Sequence, residues 1–386
     1  MPTVDNGRIL IATNCVTNNT LFPIYEKVRF ISDEIYHTWF RGHPTPGDIL
    51  FVNKGTPGRV CLVPDPIDFS IAQDMIALRA DDTKVYNKYL LAVLRSDRIQ
   101  RQIYNTSVGD VIPHFKKQFL NQLLIPIPDR KVQEFIGDLY YNLSYKVEHN
   151  NRINHNLEEQ AQALYKSWFV DFEPFQEGEF VESELGLIPK GWKVVSLDSL
   201  CSIISRGFSP KYSESTTDVV LGQRCVRNNM IDLSVSKTHV PKNLGERALC
   251  RYDILINSTG MGSLGRVAQI YFKPERMTYD SHLTLVRAKS STLEMYLGRN
   301  LLSRQDEIEN MAVGSTGQTE LPRESVKAMS ILLPCDTVLD QFGASIRAIA
   351  GRIQSNLEEN VGLTAMRDYL LPKLMSGELK INDLDC

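Results

Sequence analysis

At 386 residues the chain is long enough for two or three domains, each with its own core. Apolar residues make up 42% and charged residues 23%, which excludes disordered, collagenous and membrane-embedded classes, and a net charge of −3 gives no overall attraction to polyanions. There is no run of 18 apolar residues and no charged start followed by an apolar stretch, so no membrane span or secretory signal is expected and the expected location is cytoplasmic. The seven cysteines are scattered and never spaced as CxxC, which predicts reduced thiols and no structural metal site.

In chain order, residues 1–128 alternate short apolar runs with turn signals. Strands are expected over 48–53, 59–63 and 75–78, followed by a helical stretch carrying Leu90, Leu91, Val93, Leu94 and Ile103. Over 129–172 a seven-residue period takes over, with Ile136, Leu143, Asn150, Leu157 and Leu164 at a, and Tyr140, Val147, Asn154, Ala161 and Trp168 at d. A linker is expected over 173–186. Residues 187–334 return to strands, over 253–257, 266–271 and 283–286, and to a helical stretch with Tyr296, Leu297, Leu301, Leu302 and Ile308. The heptads then resume over 335–386, with Phe342, Ile349, Asn356, Leu363 and Leu370 at a, and Ile346, Ile353, Asn360, Arg367 and Leu374 at d, before a C-terminal tail.

This order is an internal repeat of about 206 residues. Cys15-Val16-Thr17-Asn18-Asn19 matches Cys225-Val226-Arg227-Asn228-Asn229, Asp48-Ile49-Leu50 matches Asp253-Ile254-Leu255, and Gly58-Arg59-Val60 matches Gly265-Arg266-Val267. Further on, Ile125-Pro126-Ile127-Pro128 meets Ile331-Leu332-Leu333-Pro334, and Leu157 and Leu164 meet Leu363 and Leu370. Charge alternates with the repeat: 14 Lys and Arg against 12 Asp and Glu over 1–128, 5 against 12 over 129–186, 19 against 14 over 187–334, and 5 against 8 over 335–386. The basic blocks are the ones suited to phosphate.

The expected fold class is therefore α+β and internally duplicated: two globular domains separated by two long antiparallel coiled-coil helices with pseudo-twofold symmetry. Five heptads predict helices of about 40 residues, or ~60 Å at 1.5 Å per residue, and each stripe is the natural partner of the other. Asn150, Asn154, Asn356 and Asn360 occupy seam positions, where polar residues fix register at a cost in stability.

Few motifs carry chemistry. Gly260-Met261-Gly262-Ser263-Leu264-Gly265 matches GxGxxG after a strand, but 266–272 alternates as a second strand where a dinucleotide loop must open a helix. It reads instead as a glycine-rich turn that lets a backbone approach another molecule closely. No Walker lysine loop, HExxH, GxSxG or Asp/Asn-Pro-Pro-aromatic tetrapeptide occurs, and the seven histidines have no metal-ligand spacing. His114 and His282 fall in predicted loops or strand ends. The pattern is that of a non-catalytic binding protein, with neither catalytic nor metal-binding residues expected.

At Trp168-Phe169-Val170-Asp171-Phe172, Pro189-Lys190-Gly191-Trp192 and 370–379 (LLPKLMSGEL), the chain resembles the specificity subunit of type I restriction-modification systems. The resemblance covers nearly the whole chain. It implies two target recognition domains, 1–128 and 187–334, each reading one half of a bipartite gapped site on double-stranded DNA. The long helices, 129–172 and 335–386, would fix the gap and dock two adenine-methyltransferase modification subunits, with restriction/translocase subunits joining them. Trp168, Phe169, Leu371, Lys373 and Leu374 are the expected docking residues. No cofactor is expected on this chain; S-adenosylmethionine belongs to the modification subunits, and ATP and magnesium to the restriction subunits.

Basic and amide residues in the loops are the expected DNA contacts, since Arg and Lys suit guanine edges and phosphates and Asn and Gln suit adenine. They are Lys54, Arg59, Lys116 and Lys117 in the first domain, and Arg206, Arg224, Arg227, Asn257, Arg266 and Gln318 in the second. The first domain departs from the pattern in one respect: residues from Leu187 to about Asp218, some 30 in all, have no counterpart before Met1, so it is expected to lack an opening strand and a loop. A standalone DNA-binding regulator and a coiled-coil scaffold are the alternative readings.

Overall fold

A computed structural model of the protein describes residues 2–39, 43–109, 111–314 and 319–380. The chain divides into two units, one formed by Met1–Arg152 with Leu357–Cys386 and the other by Ile153–Asn356, so each contains a segment of both long helices.

In the first unit, strands β1 (Arg8–Ile11) and β2 (Arg29–Ile31) pair antiparallel and are followed by helix α1 (Asp33–Trp39). Strands β3 (Ile49–Val52), β4 (Val60–Leu62), β5 (Phe69–Ile71) and β6 (Met75–Leu78) complete two three-stranded sheets, ordered β2-β1-β5 and β4-β3-β6. The uninterrupted apolar run of β3 is buried throughout, as a central strand covered on both faces requires. Helices α2 (Asn87–Arg95) and α3 (Asp97–Thr106) cover the second sheet, with Leu91, Val93, Leu94, Ile99 and Ile103 packed against Phe51 and Val60. The first long helix, α4 (Arg130–Phe169), begins after Pro128.

The second unit opens differently from the expected linker. Strands β7 (Phe180–Ser183) and β8 (Gly186–Pro189) form a hairpin over part of 173–186, because Glu184-Leu185-Gly186 supplies a turn with Gly186 at φ 89°. Then come β9 (Lys193–Ser196), helix α5 (Leu197–Leu200), β10 (Cys201–Arg206), β11 (Val219–Leu221), a small hairpin of β12 (Val226–Arg227) and β13 (Met230–Ile231), and β14 (Lys237–Thr238). Strands β15 (Ile254–Asn257), β16 (Val267–Gln269), β17 (Met277–Tyr279) and β18 (Leu283–Ala288) follow. Helices α6 (Ser291–Ser303), α7 (Gln305–Asn310) and α8 (Arg323–Lys327), strand β19 (Ser330–Leu333) and the second long helix α9 (Asp336–Ser376) complete it. Its sheets are ordered β10-β18-β15-β16, β14-β11-β17 and β9-β19, besides the two hairpins.

Atomic contacts repeat from unit to unit. Arg79 pairs with Asp48 at 2.8 Å and Arg287 with Asp253 at 2.6 Å. The Tyr89 hydroxyl donates to the Pro126 carbonyl at 2.8 Å, and the Tyr296 hydroxyl donates to that of Leu332. The sheets β4-β3-β6 and β16-β15-β18 correspond strand for strand. Among the described residues the first unit has no counterpart of β9 or β10.

Both long helices take the expected heptad pairing, and within each unit they run antiparallel. In the first, Asn150 Nδ2 donates to Asn360 Oδ1 at 2.9 Å and to Glu359 at 2.7 Å, while Ile136 and Tyr140 pack with Leu374. In the second, Asn356 Nδ2 donates to Asn154 Oδ1 at 2.8 Å, and Tyr165 and Phe169 meet Phe342. Moving four residues forward on α4, from 150 to 154, moves the partner four residues back on α9, from 360 to 356. The seam tolerates Arg367 because its guanidinium lies over the Tyr140 ring, 5.7 Å from the centroid. α9 continues through Pro372 into its final turns.

Each globular part is fastened to its own helix segments by buried polar contacts. Arg299 on α6 is 1% exposed and pairs with Glu158 on α4 at 2.5 Å, while Asn300 Nδ2 donates to the Tyr165 hydroxyl at 2.7 Å. Removing one member of such a pair strands a buried charge, whereas replacing both with apolar residues does not. Arg299→Ala is expected to destabilise the second unit by about 3–5 kcal/mol, and Arg299→Met with Glu158→Leu to be close to neutral or stabilising. Denaturant unfolding of the two variants checks this; equal losses would show that the ion pair does not govern the fastening.

Candidate nucleic-acid interface

The same turn is built in both units, between the central strand and its neighbour. Gly58 (φ 89°) ends the β3–β4 turn and donates its N–H to the Val52 carbonyl at 3.0 Å; Gly265 (φ 83°) does the same toward Asn257 at 2.9 Å. The left-handed backbone there explains the glycine at both positions.

In the first unit the turn is clasped by 107–115. Gly55 N–H donates to the Pro113 carbonyl and Phe115 N–H to that of Asn53, while Lys54 and Val108 both form bridges with His114. Lys54, Arg59, Lys116 and Lys117 are all exposed. A groove of about 1060 Å³ runs beside them, with Thr56, Gln100, Arg101, Tyr104 and Gly109 among its lining. Arg101 and Tyr104 were missed in the sequence. They lie on the face of α3 opposite the buried Ile99 and Ile103, so a helical projection would have exposed them. Tyr104, 81% exposed, offers a stacking face in the wall of this groove, beside Arg101.

In the second unit Thr259 and Glu320 take the places of Lys54 and His114, and Leu321 N–H donates to the Ser258 carbonyl at 2.8 Å. Arg224, Arg227 and Arg266 are exposed, the last bonded through Nη2 to the Gly262 carbonyl at 2.8 Å. Two expected contacts have structural roles instead. Asn257 is fully buried and its Nδ2 donates to the Gln223 carbonyl at 3.0 Å, so it cannot reach a base from this position. Arg206 is committed to Glu320 at 2.9 Å and to the carbonyls of Leu321 and Ser281, fastening the loop from within. Gln318 lies outside the described residues.

A recess of about 160 Å³ adjoins these arginines, lined in part by Tyr212, Gln223, Arg224, Lys237, Asp280 and His282. His282 Nδ1 is 2.7 Å from Thr259 Oγ1. Burial pushes the Asp280 carboxyl above its ordinary range, opposed by the His282 N–H it accepts at 2.9 Å. Lys237 lies over Tyr212, 4.5 Å from the ring centroid, and Lys242 over Phe208 at 4.6 Å. Tyr212, Gln223 and Lys237 carried no sequence signal beyond composition. Among the described residues no group of three His, Cys, Asp or Glu could hold a metal ion.

The expected docking residues divide in the same way. Phe169 is 5% exposed, with ring centroids 4.8 Å from both Tyr296 and Phe342, and Leu374 is 6% exposed in the core with Ile136; both are core residues and not surface contacts. Trp168 and Leu371 are half-buried against those cores, and Lys373 pairs with Glu378 at 3.0 Å. The outward apolar residues on this part of α9 are Val361, Met366 and Tyr369, exposed by 72%, 51% and 62%.

Comparison with known proteins agrees with this architecture. The family described as Type I restriction modification DNA specificity domain matches residues 3–159. Two specificity subunits are similar over most of the chain. That of type I restriction enzyme MjaIX from Methanocaldococcus jannaschii is 25% identical, over 88% of this chain and 79% of its own length. That of HindI from Haemophilus influenzae is 22% identical, over 86% of each. Residues 3–159 thus match that family's domain, and the chain as a whole is similar to type I specificity subunits. The crystal structure of the type I restriction-modification S subunit from M. genitalium shares the fold, with a TM-score of 0.59 and 15% identity, over 96% of this chain and 92% of that one.

Exposed loop cations are expected to act on the phosphates and base edges of duplex DNA, and buried amides on stability. Arg224→Ala with Arg227→Ala should weaken duplex binding and reduce the slope of log K against log salt by about 2, while Asn257→Ala should lower the melting temperature. Binding titrations between low and physiological salt decide this; an unchanged slope would remove both arginines from the interface.

Proposed function

We propose that this chain is the DNA sequence-recognition subunit of a type I restriction-modification complex, each globular domain reading one half of a bipartite gapped site. One observation carries the reading: the same turn-and-clasp is built twice, with different side chains at matching positions. Lys54 and His114 in one copy stand where Thr259 and Glu320 stand in the other. A conserved frame with altered donors and acceptors is what two different half-sites require, because base edges are distinguished by their donor and acceptor patterns.

The paired helices act as the ruler that sets the gap, and the segment 129–186, with 5 basic against 12 acidic residues and its acidic excess mostly beyond α4 over 171–186, disfavours DNA there and favours it at the basic domains. The chain itself binds and orients; it catalyses nothing. Adenine methylation belongs to two modification subunits, which supply the S-adenosylmethionine site and dock on the helices, with Val361, Met366 and Tyr369 as the apolar contacts. Restriction subunits with ATP and magnesium complete the assembly, and the complex works in the cytoplasm, where its DNA is. The regulator and scaffold readings account for the DNA-facing loops or for the long helices, but not for both together with the specificity-subunit relatives.

The test is to express the chain with its methyltransferase subunits in a methylation-free host and map modified adenines across the genome. The reading predicts one split motif with two unlike halves; no methylation, or methylation without a motif, would contradict it.

A further inference from the structure

The turn-and-clasp of the second unit carries a carboxylate on the surface assigned to DNA. Glu320 bridges Thr259 and Val313 as His114 bridges Lys54 and Val108, so Glu320 and His114 hold the same place in the two copies. Opposed residues of an antiparallel bridge project to one face, which sets Glu320 beside Thr259. Thr259 Oγ1 meets His282 at 2.7 Å and Gln223 at 3.4 Å, and both of those residues line the recess with Arg224. An anion on such a face is repelled by phosphates, so its presence calls for a donor that it can meet.

The carboxylate is also held in one direction. Its Oε1 lies 2.9 Å from Arg206 Nη2, and Arg206, 22% exposed, donates as well to the Ser281 carbonyl at 3.2 Å and the Leu321 carbonyl at 2.6 Å. The neighbouring Leu321 is fully buried, and its N–H donates to the Ser258 carbonyl at 2.8 Å. These bonds fasten the clasp without the help of Glu320, which is 62% exposed. Among the described residues its Oε2 has no partner. One oxygen fixed by a half-buried arginine and the other open make a preorganised acceptor, with its side-chain entropy lost before any partner arrives.

We infer that Glu320 is a specificity-determining residue of the second domain, accepting a hydrogen bond from the exocyclic amino group of a cytosine in its half-site. The inference rests on the DNA-recognition reading above and names one contact within it. The major groove offers two amino donors, cytosine N4 and adenine N6. Adenine sets its N7 acceptor beside the amino group, where it repels a carboxylate, whereas cytosine has only a C–H on that side. A carboxylate therefore selects cytosine, while an amide, with acceptor and donor together, suits adenine. In the first unit the same place holds His114, with Asn53 Nδ2 at 3.4 Å from its Nε2, so this contact belongs to one half of the site only.

The experiment maps modified adenines in a methylation-free host that supplies the methyltransferase subunits, for the wild-type chain, Glu320→Ala and Glu320→Gln. The wild-type motif is expected to contain a G·C pair that Glu320→Ala relaxes. Methylation of sites with another pair there should rise about tenfold relative to the cognate site, with the other positions and the other half unchanged. Glu320→Gln is expected to move the preference at that position toward A·T. A motif unchanged in both variants, even with less methylation overall, would overturn the inference and leave the recognition reading standing, because a carboxylate that only holds Arg206 alters stability and not sequence. Relaxation at an A·T pair, or in both halves, would overturn it equally. A wild-type chain that directs no motif would contradict the reading and the inference together.

Discussion

The antiparallel pairing of α4 with α9 is the interaction on which the rest of the structure depends. Neither helix can bury its own heptad stripe, and at 40 and 41 residues each would leave an apolar seam in water if unpaired. Seam asparagines bond across the helix pair in each unit. Asn356 donates to Asn154 and Asn150 to Asn360, and a slip of one residue would break both bonds.

The globular parts are tied to the helices by contacts that leave little room for variation. In the first unit α4 approaches α2 so closely that a Cβ on Gly137 would lie 2.6 Å from the Tyr89 nitrogen. Further along, Glu148 accepts the Leu21 and Phe22 N–H groups, and burial holds its carboxyl above the ordinary range despite those bonds. In the second unit Arg299 and Glu158 do comparable work from different positions. Each copy thus holds its frame through its own set of buried polar contacts, while the turns and clasps carry different side chains.

Much of this was legible in the sequence, for reasons that can be named. Heptads extend over dozens of residues, so occasional exceptions such as Arg367 do not hide them. The repeat showed because core strands such as Ile49–Val52 and Ile254–Asn257 are constrained by burial on both faces. The site was less legible because residue type does not report direction. Asn257 and Arg206 have the chemistry of DNA contacts, but the first points into the core and the second is held by Glu320 and two carbonyls. Phe169 sits in one of the motifs that carry the resemblance, yet its ring fills the second unit's core. The hairpin of β7 and β8 was read as linker because its acidic residues mask a four-residue pairing.

The central claim is the register of the helix pair, and disulfide trapping tests it most directly. In a chain with the exposed Cys250 and Cys335 replaced by Ser, Ala161→Cys with Ile349→Cys probes the second unit, and Val147→Cys with Leu363→Cys probes the first. Continuing the observed pairing of 154 with 356 by one heptad in each direction brings these positions face to face. Both pairs are predicted to close within one chain under mild oxidation, and pairs displaced by one heptad, such as Ala161→Cys with Asn356→Cys, to remain reduced. Equal trapping in the displaced register, or linkage only between chains, would contradict the account.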